Sequence, residues 1–326
     1  MMMTRWKTKF AKVFTRKEFE KTMVVKVHTD KGGIGKSTIA TQISQAFSLR
    51  NEETTIVIVT ADVNECLMKY LNEEFCQKRL GKKLSLKLIA IENADKKSKN
   101  QINQEIKSKL LADERLEDFL EKNNESLTEE DLENTFFLED KGEIKPVDMI
   151  IYDIAGGIDQ IETDEVKQDS IDHFITVANA NSAKSKQRAF VSILKTIKQE
   201  DEALKAAIAE SGDDYDDYSA DEITEIKKEQ GITYKYAYIH KDDKGYTRDL
   251  AKTKKELRDI ENEYNVKIQI VYVPKMNFEA FEEAGVSYFA TRKQLEVKGV
   301  RMGKMKVLEE RPDMVIAVKQ LLKDIA

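Results

Sequence analysis

Lys31-Gly32-Gly33-Ile34-Gly35-Lys36-Ser37-Thr38 is the stretch on which the fold turns. The apolar Met23-Val24-Val25-Lys26-Val27 precedes it, and Ile39-Ala40-Thr41-Gln42-Ile43, compatible with a helix, follows. A strand, a glycine-rich turn and a helix in that order make a phosphate cradle. The glycines let backbone N–H groups approach phosphate oxygens with no Cβ in the way, and the helix turns the positive end of its dipole to the anion. In such a cradle Lys36 reaches the β- and γ-phosphates, the Ser37 hydroxyl ligates Mg2+, and Gly32, Gly33, Ile34, Gly35 and Thr38 line the phosphates.

Two further strands end in carboxylates. Thr54-Thr55-Ile56-Val57-Ile58-Val59 reads as a buried strand leading into Thr60-Ala61-Asp62, and Val147-Asp148-Met149-Ile150-Ile151-Tyr152 leads into Asp153. Ligand chemistry in parallel sheets collects at such carboxyl ends. Asp153 therefore reads as a holder of Mg2+ through water, and the Gly156-Gly157 turn beyond it as a flexible segment near a γ-phosphate. Asp62 has two readings: it orients an attacking water, or it caps the next helix.

Set against the general pattern G-x-x-x-x-G-K-[ST], the loop has Asp30 where the first glycine is expected and a second lysine, Lys31, just inside. K-G-G-x-G-K-[ST] resembles the deviant P-loop of the ParA/MinD family of ATPases, and motif-level resemblance runs from residue 23 to residue 290, apart from an acidic excursion. The resemblance implies ATP and Mg2+ as cofactors and a homodimer that depends on ATP, with Lys31 reaching the nucleotide bound by the partner. It also implies that Asp62, matching the second aspartate of an Asp-x-Asp-Pro-Gln-like segment, assists hydrolysis. Pro274, in Pro274-Lys275-Met276-Asn277-Phe278, matches the connection that lies beside the base. His240 stands where family members approach the adenine, although a plain loop histidine reads equally well. The chain departs from the pattern at Thr60, at Val63-Asn64 and in lacking a proline after Asp153.

The bulk of the chain is consistent with one large α/β unit. Of 326 residues, 40% are hydrophobic and 35% charged, so the core must be ringed by long solvated segments. Only three prolines argue for regular structure over linker. A net charge of -6 gives no global case for binding nucleic acid, although a local basic patch can act on an acidic protein. Cys66 and Cys76 are too few for a disulfide framework and lack C-x-x-C spacing, and read as reduced thiols of a cytoplasmic protein. No run of about 18 apolar residues, the length of a membrane span, occurs.

The expected fold is α/β: a mostly parallel, doubly wound P-loop sheet flanked by helices, with a charged helical insertion. Residues 1–22 read as a basic amphipathic segment and 23–326 as the ATPase domain, the insertion occupying 63–146. Within that insertion, residues 84–90 alternate as a strand and Ile102, Ile106 and Leu110 mark a helix. Further strands are expected at residues 172–179, 234–239 and 267–273, and a long helix at 182–210. The acidic 212–219 reads as a solvated loop, and the segment with Val315, Val318, Leu321, Leu322 and Ile325 as a helix packed on the sheet.

Two basic clusters offer platforms. Residues 5–17 carry Arg5, Lys7, Lys9, Lys12, Arg16 and Lys17 beside Trp6, Phe10, Val13 and Phe14, which suits an anionic membrane surface or a protein partner. Arg292, Lys293, Lys298, Arg301, Lys304 and Lys306 suit the sequence-independent gripping of DNA phosphates. The function that the resemblance implies is an ATP-dependent dimerisation switch with slow hydrolysis that positions or segregates DNA, a plasmid or a macromolecular assembly, with a role accessory to plasmid maintenance or conjugative transfer among the options. Such a protein is cytoplasmic, on the nucleoid or peripheral at the membrane. The alternatives are a membrane-associated MinD-like positioning ATPase and a metabolic P-loop ligase of the same fold, which would need a small carboxylate substrate for turnover.

Overall fold

Val24 to Val27, Ile56 to Val59 and Met149 to Ile151 are apolar, largely β-branched runs with no polar alternation beyond Lys26, the pattern of strands covered on both faces. In the computed structural model they lie side by side in one sheet. The structure describes residues 22–28, 36–48, 53–60, 83–91, 99–110, 115–118, 121, 135–140, 142–153, 171–229, 232, 235–241 and 250–273. In chain order the elements are β1 (Met23–His28), α1 (Lys36–Ser48), β2 (Glu53–Thr60), β3 (Lys83–Ala90), α2 (Lys99–Leu110), β4 (Phe137–Asp140), β5 (Glu143–Pro146), β6 (Met149–Asp153), β7 (His173–Asn179), α3 (Ala183–Glu210), a 3-10 turn (Tyr215–Asp217), α4 (Ala220–Glu229), β8 (Tyr236–Lys241), α5 (Leu250–Tyr264) and β9 (Ile268–Val273).

The central sheet has seven strands in the order β3-β2-β6-β1-β7-β8-β9. Every neighbouring pair in it is parallel. The expected α/β class, a parallel sheet flanked by helices, is what the chain forms. From β1 the chain moves out to β2 and β3 on one side, returns through β6 into the place between β2 and β1, and then runs outward through β7, β8 and β9 on the other. The switch in direction opens a crevice at the carboxyl ends of the central strands, where open α/β sheets bind ligands.

Each face has its own cover. Val57, Val59, Ile89 and Ile150 point to one face, where Ile106 and Leu110 of α2 and Phe136 and Leu138 at the β4–β5 hairpin pack on them. Farther along the same face, Phe174, Tyr236, Tyr238 and Ile268 meet Ala189, Ile193 and Ile197 of α3 and Leu257 of α5. The opposite face of β1, β2 and β6 receives α1, which buries Ile39, Ala40, Ile43 and Phe47. Burying Ile39, Ile43 and Phe47 contributes about 1.5–3 kcal/mol each. That anchoring matters because α1 carries the loop's lysine and serine.

Within the expected insertion at 63–146, residues 83–90 form β3, an edge strand of the central sheet paired along its whole length with β2. α2 and the hairpin continue the same core, and among the described residues of this stretch Glu105 pairs with Lys109 and Arg115 with Glu139 on the solvent side. His240 is not a loop residue. β8 runs to Lys241, and His240 is fully buried beside the Tyr238 ring. Among the described residues no helix is long and apolar enough to cross a membrane, and no group of three or more His, Cys, Asp or Glu is placed to hold a metal, the acidic 212–219 included.

Charge is used structurally where α3, α4 and α5 meet. Lys227 donates to Asp201 Oδ1 and to the Tyr264 carbonyl, both at 2.6 Å. Burial pushes the Asp201 carboxyl up, but the hydrogen bonds and charges of Lys227 and Lys205 outweigh it and hold the group below its usual value. A carboxylate depressed in the folded state adds stability above its unfolded pKa and loses it as pH falls through the folded one. The melting temperature is therefore expected to fall as the pH drops below the ordinary carboxylate range of about 3.9, with a shallower slope in Asp201→Asn. Equal slopes in thermal melts of the two proteins would show that the pair is not coupled to folding.

Candidate functional site

α1 starts where β1 has turned into the glycine-rich sequence, and its first two residues are Lys36 and Ser37. Lys36 is buried and Ser37 half-buried. The helix itself places no acidic side chain in the first turn of α1, so no carboxylate of its own opposes an anion at the positive end of its dipole.

Asp153 arrives from the other direction. β6 is the parallel neighbour of β1, with Val27 in register with Asp153. Neighbouring strands lie about 4.8 Å apart, which brings the end of β6 within reach of the start of α1. The Ser37 hydroxyl donates to Asp153 Oδ2 at 2.6 Å, across 116 residues of sequence. Asp153 is almost wholly buried. A buried carboxylate is costly unless it is hydrogen-bonded or holds a cation, and the Ser37 bond meets the first condition.

This donor set fits Mg2+. A hydroxyl and a carboxylate are hard oxygen ligands of the kind the ion takes alongside substrate phosphates and waters. The pairing predicted from the two motifs is thus a direct contact in the folded chain.

Thr60, the departure from the family's first aspartate, is buried and in register with Asp153 on the adjacent strand β2. An aspartate there would set a second carboxylate beside the first, a like-charge arrangement that drives one of the pair toward its protonated form. With threonine, Asp153 stands without that neighbour. Sequence comparison registers only a mismatch at this position; the strand register supplies its electrostatic meaning.

Several candidates lie outside the described residues: Lys31, Gly32, Gly33, Ile34, Gly35, Asp62 and Pro274, together with the basic clusters at 5–17 and 292–306 and the segment at 315–325. Thr38 is part of α1, with its side chain outside the described set. The helix expected at 182–210 is α3, which begins four residues after the end of β7, at the same carboxyl edge as Ser37 and Asp153. Ser182 caps it, its Oγ accepting from the Ser185 N–H at 3.2 Å, and Ser185 Oγ in turn accepts from the Asn179 N–H at 3.1 Å. The strand-then-Ser signal for such a cap was present in Asn179-Ala180-Asn181-Ser182.

A parallel sheet whose central strand runs through a G-x-G-K-S-T sequence into a helix, with that serine bonded to the aspartate ending the next strand, defines a P-loop NTPase fold. No protein-family model matches the chain, and no curated protein matches it in sequence. Among solved structures it is similar to the MinD cell division protein of Aquifex aeolicus, at 14% identity over 93% of this chain and 96% of that one, with a TM-score of 0.42. It is similar also to the MinC:MinD cell division protein complex of the same organism, at 14% identity over 82% and 88% with a TM-score of 0.34. A third is HypB from Helicobacter pylori in complex with nickel, at 10% identity over 91% and 93% with a TM-score of 0.30. The fold assignment stands on strand order and site, independently of these overlaps.

Proposed function

We propose that this chain is a Mg-ATP-dependent dimerisation switch with slow ATP hydrolysis that positions or segregates DNA, a plasmid or another large cargo. The observation that carries the nucleotide half of the reading is the 2.6 Å contact between Ser37 and Asp153 at the switch point of the sheet. Lys36 holds the β- and γ-phosphates by charge, and Ser37 and Asp153 hold Mg2+, the aspartate through water. When bound, Mg2+ neutralises charge on the phosphate oxygens. Asp62 orients the attacking water. The dimer half of the reading rests on Lys31 and its likeness to the family's second lysine: a cation delivered to the partner's nucleotide makes assembly depend on the γ-phosphate, and hydrolysis releases the pair.

ATP turnover and sedimentation velocity of the full chain, with ATP or ADP, test the switch. The expected result is a dimer with Mg-ATP and a monomer with Mg-ADP; the same state with both nucleotides would refute it. The platform is tested separately. DNA as platform predicts ATP-dependent retention on nonspecific duplex that weakens as salt rises, carried by Arg292, Lys293, Lys298, Arg301, Lys304 and Lys306. A membrane platform predicts recruitment to anionic liposomes that is lost when residues 1–20 are removed. Turnover that required a small carboxylate substrate, and ignored DNA, lipid and protein, would instead indicate a ligase.

A further inference from the structure

α3 is a 28-residue helix, about 42 Å long at 1.5 Å per residue, and its charge is sorted by sign along that length. Residues 183–198 contain five lysines and arginines and no acid; residues 199–229, which include the rest of α3 and α4, contain twelve acids and three lysines. All three lysines are committed within that acidic end, Lys205 and Lys227 to Asp201 and Lys228 to Glu225. Lys184, Arg188, Lys195 and Lys198 are exposed along one stripe of the basic half, and Glu202, Glu210, Asp213 and Asp217 are exposed at the acidic end.

The arrangement opposes what the helix alone favours. Acids stabilise a helix N-terminus and bases a C-terminus, yet the first turn of α3 has no acid and the last turn no base. Glu200 and Asp201 are paired with Lys235 and Lys227, whereas the exposed charges of both halves lie on the outer side of the helix. A sequence that breaks a local rule at both ends of one helix, on its outer face, is shaped by something outside the helix. The stripe is also open to close approach. It includes Val191, 59% exposed and the one large hydrophobic residue that is exposed among those described, and the acidic half exposes Ala203, Ala206, Ala207 and Ala209. Long basic side chains laid over alanines reach the acids at their margin, burying their stems as they do so.

We propose that α3 pairs antiparallel with α3 of a second copy, the basic half of each lying on the acidic end of the other. A two-fold axis level with the boundary between the basic and acidic runs, near residue 200, sets each run against its opposite and closes the assembly at a dimer. A polyanion such as duplex DNA would satisfy the basic half and be repelled by the acidic end. The contact uses neither Lys31 nor the nucleotide, so it is separate from the ATP-dependent pairing.

Sedimentation velocity of the full chain without nucleotide tests this, and its outcome is independent of the nucleotide switch. The expected result is a reversible dimer at low ionic strength that dissociates near 1 M salt, where the Debye length is about 3 Å. Two doubly reversed proteins, Lys184→Glu with Lys198→Glu and Glu210→Lys with Asp217→Lys, are each expected to dissociate at least about tenfold more readily, a loss of about 1.4 kcal/mol. Their equimolar mixture is expected to recover the parent affinity, because each reversed patch then meets its opposite. Lys184→Glu and Glu210→Lys both move charge in the direction the dipole favours, so melting temperatures at or above that of the parent are expected. A parent that is monomeric at every salt concentration, or a mixture that stays monomeric, overturns the proposal. So does a dimer that survives reversal of the lysines but not of the acids, which would place the segment at 5–17 or at 292–306 on the acidic end. Loss of DNA retention on reversing the lysines of a monomeric parent would make a polyanion the occupant.

Discussion

The Asp153→Asn protein is expected to melt no lower than the parent and to turn over Mg-ATP about 100- to 1,000-fold more slowly, the loss typical of removing one preorganised electrostatic contact. The two effects separate because of where Asp153 sits. Asparagine keeps a side-chain carbonyl that accepts the Ser37 hydroxyl bond, now 2.6 Å long, so the packing at the end of β6 is retained. The negative charge is lost, and a neutral amide costs less than a carboxylate to bury. What disappears is the anion that holds the metal's water. Turnover measured across Mg2+ concentrations, together with thermal melts in the absence of nucleotide, reads both. Unchanged turnover would remove Asp153 from the site, and a large fall in melting temperature with proportionate loss of activity would make it a structural residue.

Lys31→Ala is expected to leave the binding of ATP to the monomer nearly intact while weakening the ATP-bound dimer by about 100-fold or more. A hydrogen bond to a charged group contributes about 1.5–3 kcal/mol, and a symmetric pair makes the contact twice, so the dimer loses about 3–6 kcal/mol when both lysines go. Lys36→Ala differs in kind, since it removes the phosphate contact within a protomer and is expected to abolish nucleotide binding itself. Fluorescent-nucleotide titration at low protein concentration, with sedimentation at high concentration, separates the two. Should Lys31→Ala lose monomer affinity as severely as Lys36→Ala, Lys31 belongs to its own protomer's site and the switch needs another explanation.

The central sheet was legible because its strands are buried on both faces and therefore read as unbroken apolar runs, each followed by a turn or a helix. β1, β2, β6, β7 and β9 stand within a residue or two of their expected bounds. The hairpin at 137–146 was not read, because Phe136-Phe137-Leu138 is followed at once by charged residues; its turn is marked by Gly142, whose φ of 86° is a left-handed conformation that suits glycine. α4 went unread although Ser219-Ala220-Asp221-Glu222 is a capping box: Glu222 accepts from the Ser219 N–H at 2.8 Å, and Ser219 Oγ accepts from the Glu222 N–H at 3.3 Å. Six acids in ten residues from Asp213 to Glu222 mask the periodicity with charge. In the site, Ser37 and Asp153 were legible because each closes a strong local pattern. The consequence of Thr60 was not, since a side chain's neighbour across two strands depends on register, and register is not written in any local window.

The position of β1 between β6 and β7 also governs how the molecule comes into being. Both flanking strands arrive late in synthesis: the Val24 N–H is received by an Asp172 carboxylate 148 residues away, and Ser37 meets Asp153 across 116. Pairings of such long range must overcome loop-closure entropy before they give anything back, which slows folding and leaves strand edges bare meanwhile. A nascent chain that has emerged only as far as residue 140 has its glycine-rich loop and α1 but nothing on either side of β1. Nucleotide therefore cannot help the first half to fold, and the exposed edges of Val24 to Val27 make chains stalled before β6 candidates for aggregation or chaperone capture during translation.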